Sequence, residues 1–311
     1  MNLAEIGPII ANENKAIEFV ESLMWPDGAV CPHCGGVENL YRIKANPKRR
    51  VRPGLWKCGQ CRKQFTVKVG TIFEDSKLPL GKWLLAIYMM CSSKKGVSAN
   101  QLHRSLGISY KAAWFVCHRI RLAMTQEPLL GKLGGSGGIV EVDETYIGGK
   151  ASNNRRKKVK GRGRSTKIAV MTLIERGGDV RTFKVPNTKG STLKTIVRPN
   201  VDDTALIVTD ENAAYRGLNR HFANHGVINH SKSFVRGILH TNFAESYHSL
   251  LKRGILGTFH HVSEQHLPRY LREFEFRWNS RKITDGERTF LAIKSAKGKR
   301  LVYQRPTSVQ K

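Results

Sequence analysis

The sequence is short of acidic residues. It has 24 Asp and Glu against 53 Lys and Arg in 311 residues, which gives a formal charge of +29 and a pI near 10.2. An excess of this size goes far beyond what solubility requires and indicates a polyanionic partner, of which the phosphodiester backbone of nucleic acid is the obvious one. A basic ribosomal protein or a membrane-surface protein could carry a similar charge.

Long apolar runs are also missing. The longest, Trp83 to Cys91, has nine residues, whereas a helix that crosses a bilayer needs roughly 20. The first residues show no basic leader followed by an apolar core and a small-residue cleavage site, so no secretory signal is predicted. We therefore expect a soluble, intracellular protein without a membrane partner.

Cysteines are few, and four of the six form two C-x-x-C pairs with 23 residues between the pairs. Thiolates two residues apart can reach one tetrahedral Zn(II), and four of them complete the coordination shell of a structural site. Redox motifs or unrelated thiols are the alternative, but cysteines of an intracellular protein favour metal over disulfides. The sequence therefore predicts a zinc ribbon with the ligands Cys31, Cys34, Cys58 and Cys61.

Residues 98–120 predict two short helices joined by a tight turn. Ser98 and Ser109 suit helix N-caps, and Gly107 suits the turn between the helices. This is the pattern of a helix-turn-helix, although any small helical pair could share it. In the DNA-binding interpretation the second helix presents Tyr110, Lys111 and Arg119 to a major groove.

Residues 138–149, GIVEVDETYIGG, predict a strand that has Asp143 at its middle. A carboxylate among strand-forming apolar residues is costly to bury unless it is paired or holds a cation. The alternative is a strand whose acidic residues lie on a solvated face, namely Glu141, Asp143 and Glu144.

Two later stretches each add a carboxylate. Asp210 ends the apolar run in ALIVTDEN, which is the usual position of a functional residue at the carboxyl end of a strand. The stretch HTNFAESYHSLLKR predicts a helix with Glu245 in its first turn, where a carboxylate suits the helix dipole. His248 lies on nearly the same helix face, where it could touch a metal or a phosphate, or could simply be a surface histidine.

These motifs resemble the DDE transposases of bacterial insertion sequences, in the ISXO-like group with an amino-terminal zinc ribbon. The resemblance runs from about Val30 to about Arg281. The matching stretches are VDETYIGGK, VTDENAAY and HTNFAESYHSLLKRGILGTFHHVS, followed by LPRYLREFEFRWNSR. The resemblance implies an α+β fold in which a ribonuclease-H-like catalytic core follows a zinc ribbon and a helix-turn-helix.

The order of the predicted elements agrees with that implied core. Strands at residues 167–174 and 180–185, a helix at 191–197 and the strand before Asp210 follow the Asp143 strand. In the ribonuclease-H-like fold the first and fourth strands are neighbours. We therefore expect Asp143 and Asp210 to lie side by side.

The resemblance also implies a chemistry. Asp143, Asp210 and Glu245 would hold two Mg(II) or Mn(II) ions about 4 Å apart, because hard cations choose carboxylate oxygen. By the same resemblance, water frees a 3′-hydroxyl at the end of the element, and that hydroxyl attacks target DNA. The third ligand is the most open position, because Glu275 is also acidic and Asn242 could ligate through its amide oxygen.

The implied partners are the ends of an insertion sequence and target DNA. A dimer or larger assembly is expected on DNA because two ends have to be brought together. The expected location is the bacterial cytoplasm, at the nucleoid. The basic segment NNRRKKVKGRGR at residues 153–164 predicts a further DNA contact, with a solvated loop as the alternative. Its candidate residues are Arg155, Arg156, Lys157 and Lys158.

The predicted domain organisation has five segments. They are an amino-terminal helix with the zinc ribbon (1–75), the helix-turn-helix region (76–130), a Gly-rich linker (131–137), the catalytic domain (138–282) and a basic tail (283–311). Two other functions stay open. One is a catalytically silent, transposon-derived DNA-binding regulator, and the other is a ribonuclease-H-like nuclease or junction resolvase that only hydrolyses.

Overall fold

The computed structural model describes residues 2–126, 131–148, 167–222, 224–231 and 235–302, and its helices and strands give the expected α+β composition. The helices are α1 (Leu3–Ile10), α2 (Glu13–Met24), α3 (Leu80–Ser92), α4 (Ala99–Leu106), α5 (Tyr110–Ala123), α6 (Gly190–Asn200), α7 (Asn242–Gly254), α8 (Leu267–Asn279) and α9 (Asp285–Lys294). The strands are β1 (Leu40–Ile43), β2 (Leu55–Cys58), β3 (Gln64–Phe65), β4 (Ile139–Ile147), β5 (Ile168–Glu175), β6 (Val180–Val185), β7 (Leu206–Thr209) and β8 (Asn224–Val227).

The chain divides into two units. The first consists of Met1–Gln126 together with Lys282–Lys311, and the second of Glu127–Arg281. The tail predicted at residues 283–311 thus begins with α9, which packs on α3 in the first unit. The finer boundaries drawn from the sequence remain predictions. In the described ranges, every helix is too short or too polar to cross a membrane.

The first unit is built around α3. This helix contacts α1, α2, α4, α5 and α9, and most of its side chains are buried. Its first backbone N–H groups donate to the Glu13 carboxylate, from Leu80 at 2.8 Å and from Gly81 at 3.1 Å. A Cβ atom at Gly81 would come within 2.2 Å of the Ile10 carbonyl oxygen, so this close helix packing requires glycine.

The ribbon in the first unit is a three-stranded antiparallel sheet in the order β1-β2-β3. The β1–β2 hairpin is long, as the spacing between the cysteine pairs predicts. Further along the chain, the hydroxyls of Ser98 and Ser109 accept hydrogen bonds from backbone N–H groups in the first turns of α4 and α5. Gly107, at the end of α4, has a left-handed backbone with a φ of 59°. The predicted caps and turn of the helix pair are therefore present.

The second unit contains a five-stranded sheet in the order β6-β5-β4-β7-β8. Strands β4, β5 and β6 are antiparallel neighbours, and β7 runs parallel to β4 and to β8. The first and fourth strands of the unit are thus adjacent, as expected. The register pairs Val142 with Thr209, and an aspartate follows each of them, Asp143 within β4 and Asp210 directly after β7.

The two faces of this sheet bury different residues because side chains alternate along a strand. Val140 and Val142 of β4 join a core with α6, whereas Ile147 joins a core with α7 and α8. The sequence predicts a turn-rich loop after α7. Instead, Ile255–Phe259 continue the helix as a π-helical turn, because Ile255 and Phe259 pack on the same core as Leu251.

Candidate active site and zinc centre

The four predicted zinc ligands converge in the first unit. Their Sγ atoms all lie within 4.8 Å of one another. The separation is 3.6 Å between Cys31 and Cys61 and 3.7 Å between Cys34 and Cys58. Sulfurs at the corners of a tetrahedron with Zn–S bonds of about 2.3 Å lie about 3.8 Å apart, so the arrangement fits structural zinc. The Cys61 backbone N–H points at Cys58 Sγ and lowers the pKa of that thiol to about 7, which favours the thiolate that a metal binds.

Asp143 and Asp210 lie next to each other at the inner strands β4 and β7 of the second unit's sheet. Asp143 sits within β4, and Asp210 directly follows the parallel strand β7. Burial raises the pKa of Asp210, and the neighbouring negative charge of Asp143 raises it further. The Asn212 backbone N–H donates to Asp210 Oδ1 at 3.1 Å and fixes this carboxylate. A cation bound between two adjacent, partly desolvated carboxylates would offset the repulsion between their negative charges.

His248 of α7 faces the same strand. Its Nδ1 atom lies 3.4 Å from Asp143 Oδ2, and its Nε2 atom lies 2.9 Å from Thr172 Oγ1. Thr172 is the cross-strand partner of Asp143, so the three side chains share one face of the sheet. Only 6% of His248 is exposed. The alternative of a surface histidine is therefore wrong, and His248 contacts a predicted metal ligand.

Glu245 lies in the first turn of α7 with a largely open carboxylate, 53% exposed. The Thr241 hydroxyl donates to its Oε1 atom at 3.5 Å, and His230 Nε2 lies 3.8 Å from the same oxygen. In the part of the chain that the structure describes, only the four cysteines bring ligand atoms from three or more residues within 4.8 Å of one another. The three carboxylates are therefore spread more widely than the ligands of a single small ion.

The other candidates for the third ligand differ in their surroundings. Glu275 is buried, and its carboxylate accepts hydrogen bonds from the Thr182 backbone and hydroxyl and from Arg272. This buried carboxylate joins α8 to β6 through bonds to Thr182 and Arg272 and is not open to solvent. Asn242 is exposed at the start of α7. Glu245 remains the carboxylate that is open to a ligand.

Two further carboxylates on β4 have surroundings that the sequence did not indicate. Glu144 accepts a hydrogen bond from the Tyr215 hydroxyl at 2.5 Å, and burial raises the pKa of Glu144 to about 7, with the charges of Asp210 and Asp143 adding to the effect. Glu141 has no exposed surface at all. The solvated-face alternative is therefore wrong for Glu141. Tyr215 ends the stretch VTDENAAY, but nothing in its spacing pairs it with Glu144.

The predicted DNA-contacting residues separate into three groups. Tyr110 is 51% exposed, and Lys111 is exposed beside it in the first turn of α5. Arg119 is only 5% exposed, and its guanidinium donates to the carbonyl oxygens of Glu74 at 2.7 Å and Leu301 at 3.2 Å. Its assignment to a DNA groove is corrected, because the side chain points into the interior of the unit. The remaining four, Arg155, Arg156, Lys157 and Lys158, lie outside the described residues.

Comparison with known proteins adds independent evidence. Residues 134–279 match the ISXO2-like transposase domain, and residues 11–64 match the transposase zinc-ribbon domain. The first range contains all three candidate carboxylates, and the second contains all four cysteines.

Two relatives agree with these matches. A protein of Halobacterium salinarum, described as an uncharacterized protein in transposable element ISH50, is 28% identical over 280 residues, which cover 86% of this chain and 90% of the relative. An uncharacterized transposase-like protein of Haemophilus influenzae is 32% identical over 104 residues, which cover 33% of this chain and 84% of the relative. The chain belongs to the family of insertion-sequence transposases that combine a transposase zinc ribbon with an ISXO2-like transposase domain.

Proposed function

We propose that this protein binds the ends of an insertion sequence and catalyses metal-dependent DNA cleavage and strand transfer. One observation carries the proposal. Asp143 and Asp210 lie side by side on parallel strands, and α7, which bears Glu245, contacts the Asp143 carboxylate through His248. Three carboxylates from two strands and a helix, in a family of transposases, suit phosphodiester chemistry better than simple DNA binding.

The donor set suits Mg(II) or Mn(II). Hard divalent cations prefer carboxylate oxygen and retain several waters, so three acidic side chains are enough ligands. Burial raises the pKa of Asp210, and the negative charge of Asp143 adds to this effect. A divalent ion would favour the ionised form of both carboxylates. When bound, two such ions activate the attacking oxygen and stabilise the departing one.

The surrounding side chains hold these carboxylates in place. His248 and Thr172 border Asp143, and the Asn212 backbone N–H holds Asp210. Asp143 Oδ1 also accepts the backbone N–H of Glu144 at 2.7 Å. Each contact limits the rotation of a carboxylate before any ligand arrives, which reduces the ordering cost of binding.

We further propose that the second unit has a ribonuclease-H-like fold and that α4 and α5 form a helix-turn-helix. Adjacency of the first and fourth strands supports the former. The capped helix pair with its Gly107 turn supports the latter, with exposed Tyr110 and Lys111 facing a DNA groove.

The formal charge of +29 suits both element ends and target DNA in the bacterial nucleoid. A dimer or larger assembly would hold two ends together.

A strand-transfer assay tests the proposed function. Purified protein, labelled DNA carrying the ends of its element, and Mg(II) or Mn(II) are compared for wild type, Asp210→Asn and the control Asp203→Asn. The Asp203 side chain is 72% exposed and pairs only with Lys132 among the described residues. We expect joined products from wild type and Asp203→Asn, and none from Asp210→Asn.

The products also separate the alternative functions. Tight binding of the ends without cutting or joining under either metal would support a silent regulator. Hydrolysed ends without joined products would support a nuclease or resolvase. Either result would contradict the proposed strand transfer.

A further inference from the structure

Glu141 is a carboxylate without solvent contact in the middle of the second unit. It lies two residues before Asp143 on β4, so both side chains point to the sheet face that α7 covers. Burying an ionised carboxylate completely is costly unless several donors surround it. Its contacts therefore define what the residue does.

Glu141 has donors on both carboxylate oxygens. Oε2 accepts the backbone N–H groups of Phe243 at 2.9 Å and Ala244 at 3.0 Å. Oε1 accepts a hydrogen bond from Arg176 Nε at 2.7 Å and lies 3.2 Å from His240 Nδ1. One side chain thus joins strand β4, the turn after β5 and the beginning of α7.

The start of α7 depends on this carboxylate. The first N–H groups of a helix lack partners within the helix and usually bond to the side chain of the N-cap residue. Thr241, the N-cap of α7, makes no such bond. Glu141 takes over this role from another element, and its negative charge suits the positive end of the helix dipole.

Arg176 reinforces the same connection. Its Nη2 atom donates to the His240 carbonyl oxygen at 2.9 Å, and its backbone N–H donates to the Ile139 carbonyl oxygen at 2.9 Å. Side chain and backbone of Arg176 therefore fix both the residue before the α7 cap and the first residue of β4. The Glu141–Arg176 pair thus connects β4 to the residues at the start of α7.

The next residue after Ala244 is Glu245. We propose that Glu141 is a positioning residue of the active site, which sets the first turn of α7, and with it the Glu245 carboxylate, at a fixed place relative to Asp143. This assignment rests on the proposed function, because Glu245 matters here as a metal ligand. It differs from a plain stabilising cap in that loss of Glu141 misplaces a ligand in a protein that still folds.

The test compares Glu141→Gln with wild type and with Glu264→Gln. The glutamine keeps the size of the side chain, but its NH₂ group must face either Arg176 or the α7 N–H groups and cannot accept a hydrogen bond from them. Glu264 is a matched control in the same unit, because its side chain is 67% exposed and pairs with Lys184 at 3.0 Å. The readouts are Mn(II) binding to the zinc-loaded protein by electron paramagnetic resonance, and hydrogen exchange of the Phe243 and Ala244 amides.

We expect Glu141→Gln to exchange these two amides faster and to bind Mn(II) roughly tenfold to a hundredfold more weakly, the usual loss when a group that orients a metal ligand is removed. Cleavage should recover in part at high Mn(II), and metal-free binding to the DNA ends should stay at the wild-type level. Glu264→Gln should match wild type in every readout. If Glu141→Gln fails to fold, Arg176→Lys, which keeps the charge but loses the bond to His240, serves as the second variant.

The outcomes are distinct. Faster amide exchange with unchanged Mn(II) affinity would make Glu141 a helix cap only and would overturn the positioning role. Unchanged exchange and unchanged affinity would overturn it as well. A wild-type protein that neither binds Mn(II) nor cleaves DNA would overturn the proposed function itself, and the positioning role with it.

Discussion

His248 Nδ1 lies 3.4 Å from Asp143 Oδ2, which joins helix α7 to the central strand of the second unit. His248 is also three residues beyond Glu245, so one turn of the helix carries both a contact to the first carboxylate and the third carboxylate itself. This contact links two parts of the site that are about a hundred residues apart in the sequence.

Replacing His248 tests that contact. His248→Asn removes the imidazole beside Asp143 and should lower the DNA cleavage rate roughly tenfold to a hundredfold, since groups that orient metal ligands have effects of this size. The exposed His221→Asn is the control and should cleave like wild type. Rates are measured at saturating DNA over a range of Mn(II) concentrations. A His248→Asn protein with wild-type rate and wild-type metal dependence would show that the contact is incidental.

Removal of zinc should affect the first unit selectively. Cys58→Ser leaves three thiols for a site that needs four ligands, so the ribbon should lose its metal and unfold locally. Metal analysis should find one zinc per chain in wild type and in Cys117→Ala, whose thiol is buried away from the cluster, and almost none in Cys58→Ser. The far-ultraviolet signal of the second unit's sheet should persist. Full zinc content in Cys58→Ser would contradict the four-cysteine site.

The raised pKa of Glu144 predicts a pH-dependent stability. The folded protein holds the proton up to a pKa of about 7, above the ordinary 4.5, because the carboxyl is largely buried. The contribution of Glu144 to stability is therefore complete below pH 4.5 and is lost as the pH rises through about 7.

Denaturant unfolding without added Mg(II) or Mn(II) measures this effect. Between pH 4.5 and 7 the free energy of unfolding of wild type should fall relative to that of Glu144→Gln, by at most about 3 kcal/mol for a shift of this size. Parallel pH profiles for the two proteins would show that Glu144 does not titrate in this range.

Arg119 and Lys111 should behave in opposite ways. Arg119→Ala removes buried hydrogen bonds to two carbonyl groups and should destabilise the first unit by about 2 kcal/mol, with little change in DNA affinity per folded molecule. Lys111→Ala should change stability much less than Arg119→Ala does, but it should weaken binding to DNA ends and reduce the salt dependence by about one phosphate contact. Thermal melting and binding at several salt concentrations separate the two effects. An Arg119→Ala protein of normal stability that loses DNA affinity would restore the groove assignment.

Local patterns in the sequence predicted most of the elements that build the site. The caps at Ser98 and Ser109 depend on neighbouring residues, and the structure confirms them. The adjacency of Asp143 and Asp210 was expected from the strand order that the family resemblance implies. The structure confirms it, because each aspartate follows one member of the pair Val142 and Thr209 on the parallel strands β4 and β7.

Contacts between distant residues could not be predicted in this way. Glu141 is bonded to Arg176 and to Ala244, which are 35 and 103 residues away, and nothing in the β4 pattern separates it from a solvated glutamate. Arg119 has the spacing of a groove-facing residue. Its side chain instead donates a hydrogen bond to the carbonyl oxygen of Leu301, 182 residues later in the chain. Burial of charged residues depends on such partners, and the partners become visible only in the folded chain.

We propose that Asp143, Asp210 and Glu245 together hold the two divalent ions, and Mn(II) binding measures this directly. Electron paramagnetic resonance on the zinc-loaded protein would give Mn(II) dissociation constants for wild type, Asp143→Asn, Asp210→Asn, Glu245→Gln and the control Asp203→Asn. We predict at least about tenfold weaker binding in each of the first three variants, as expected when a charged ligand is lost, and wild-type binding in the control. Wild-type Mn(II) affinity in Glu245→Gln would contradict the claim, because the helix carboxylate would then lie outside the site.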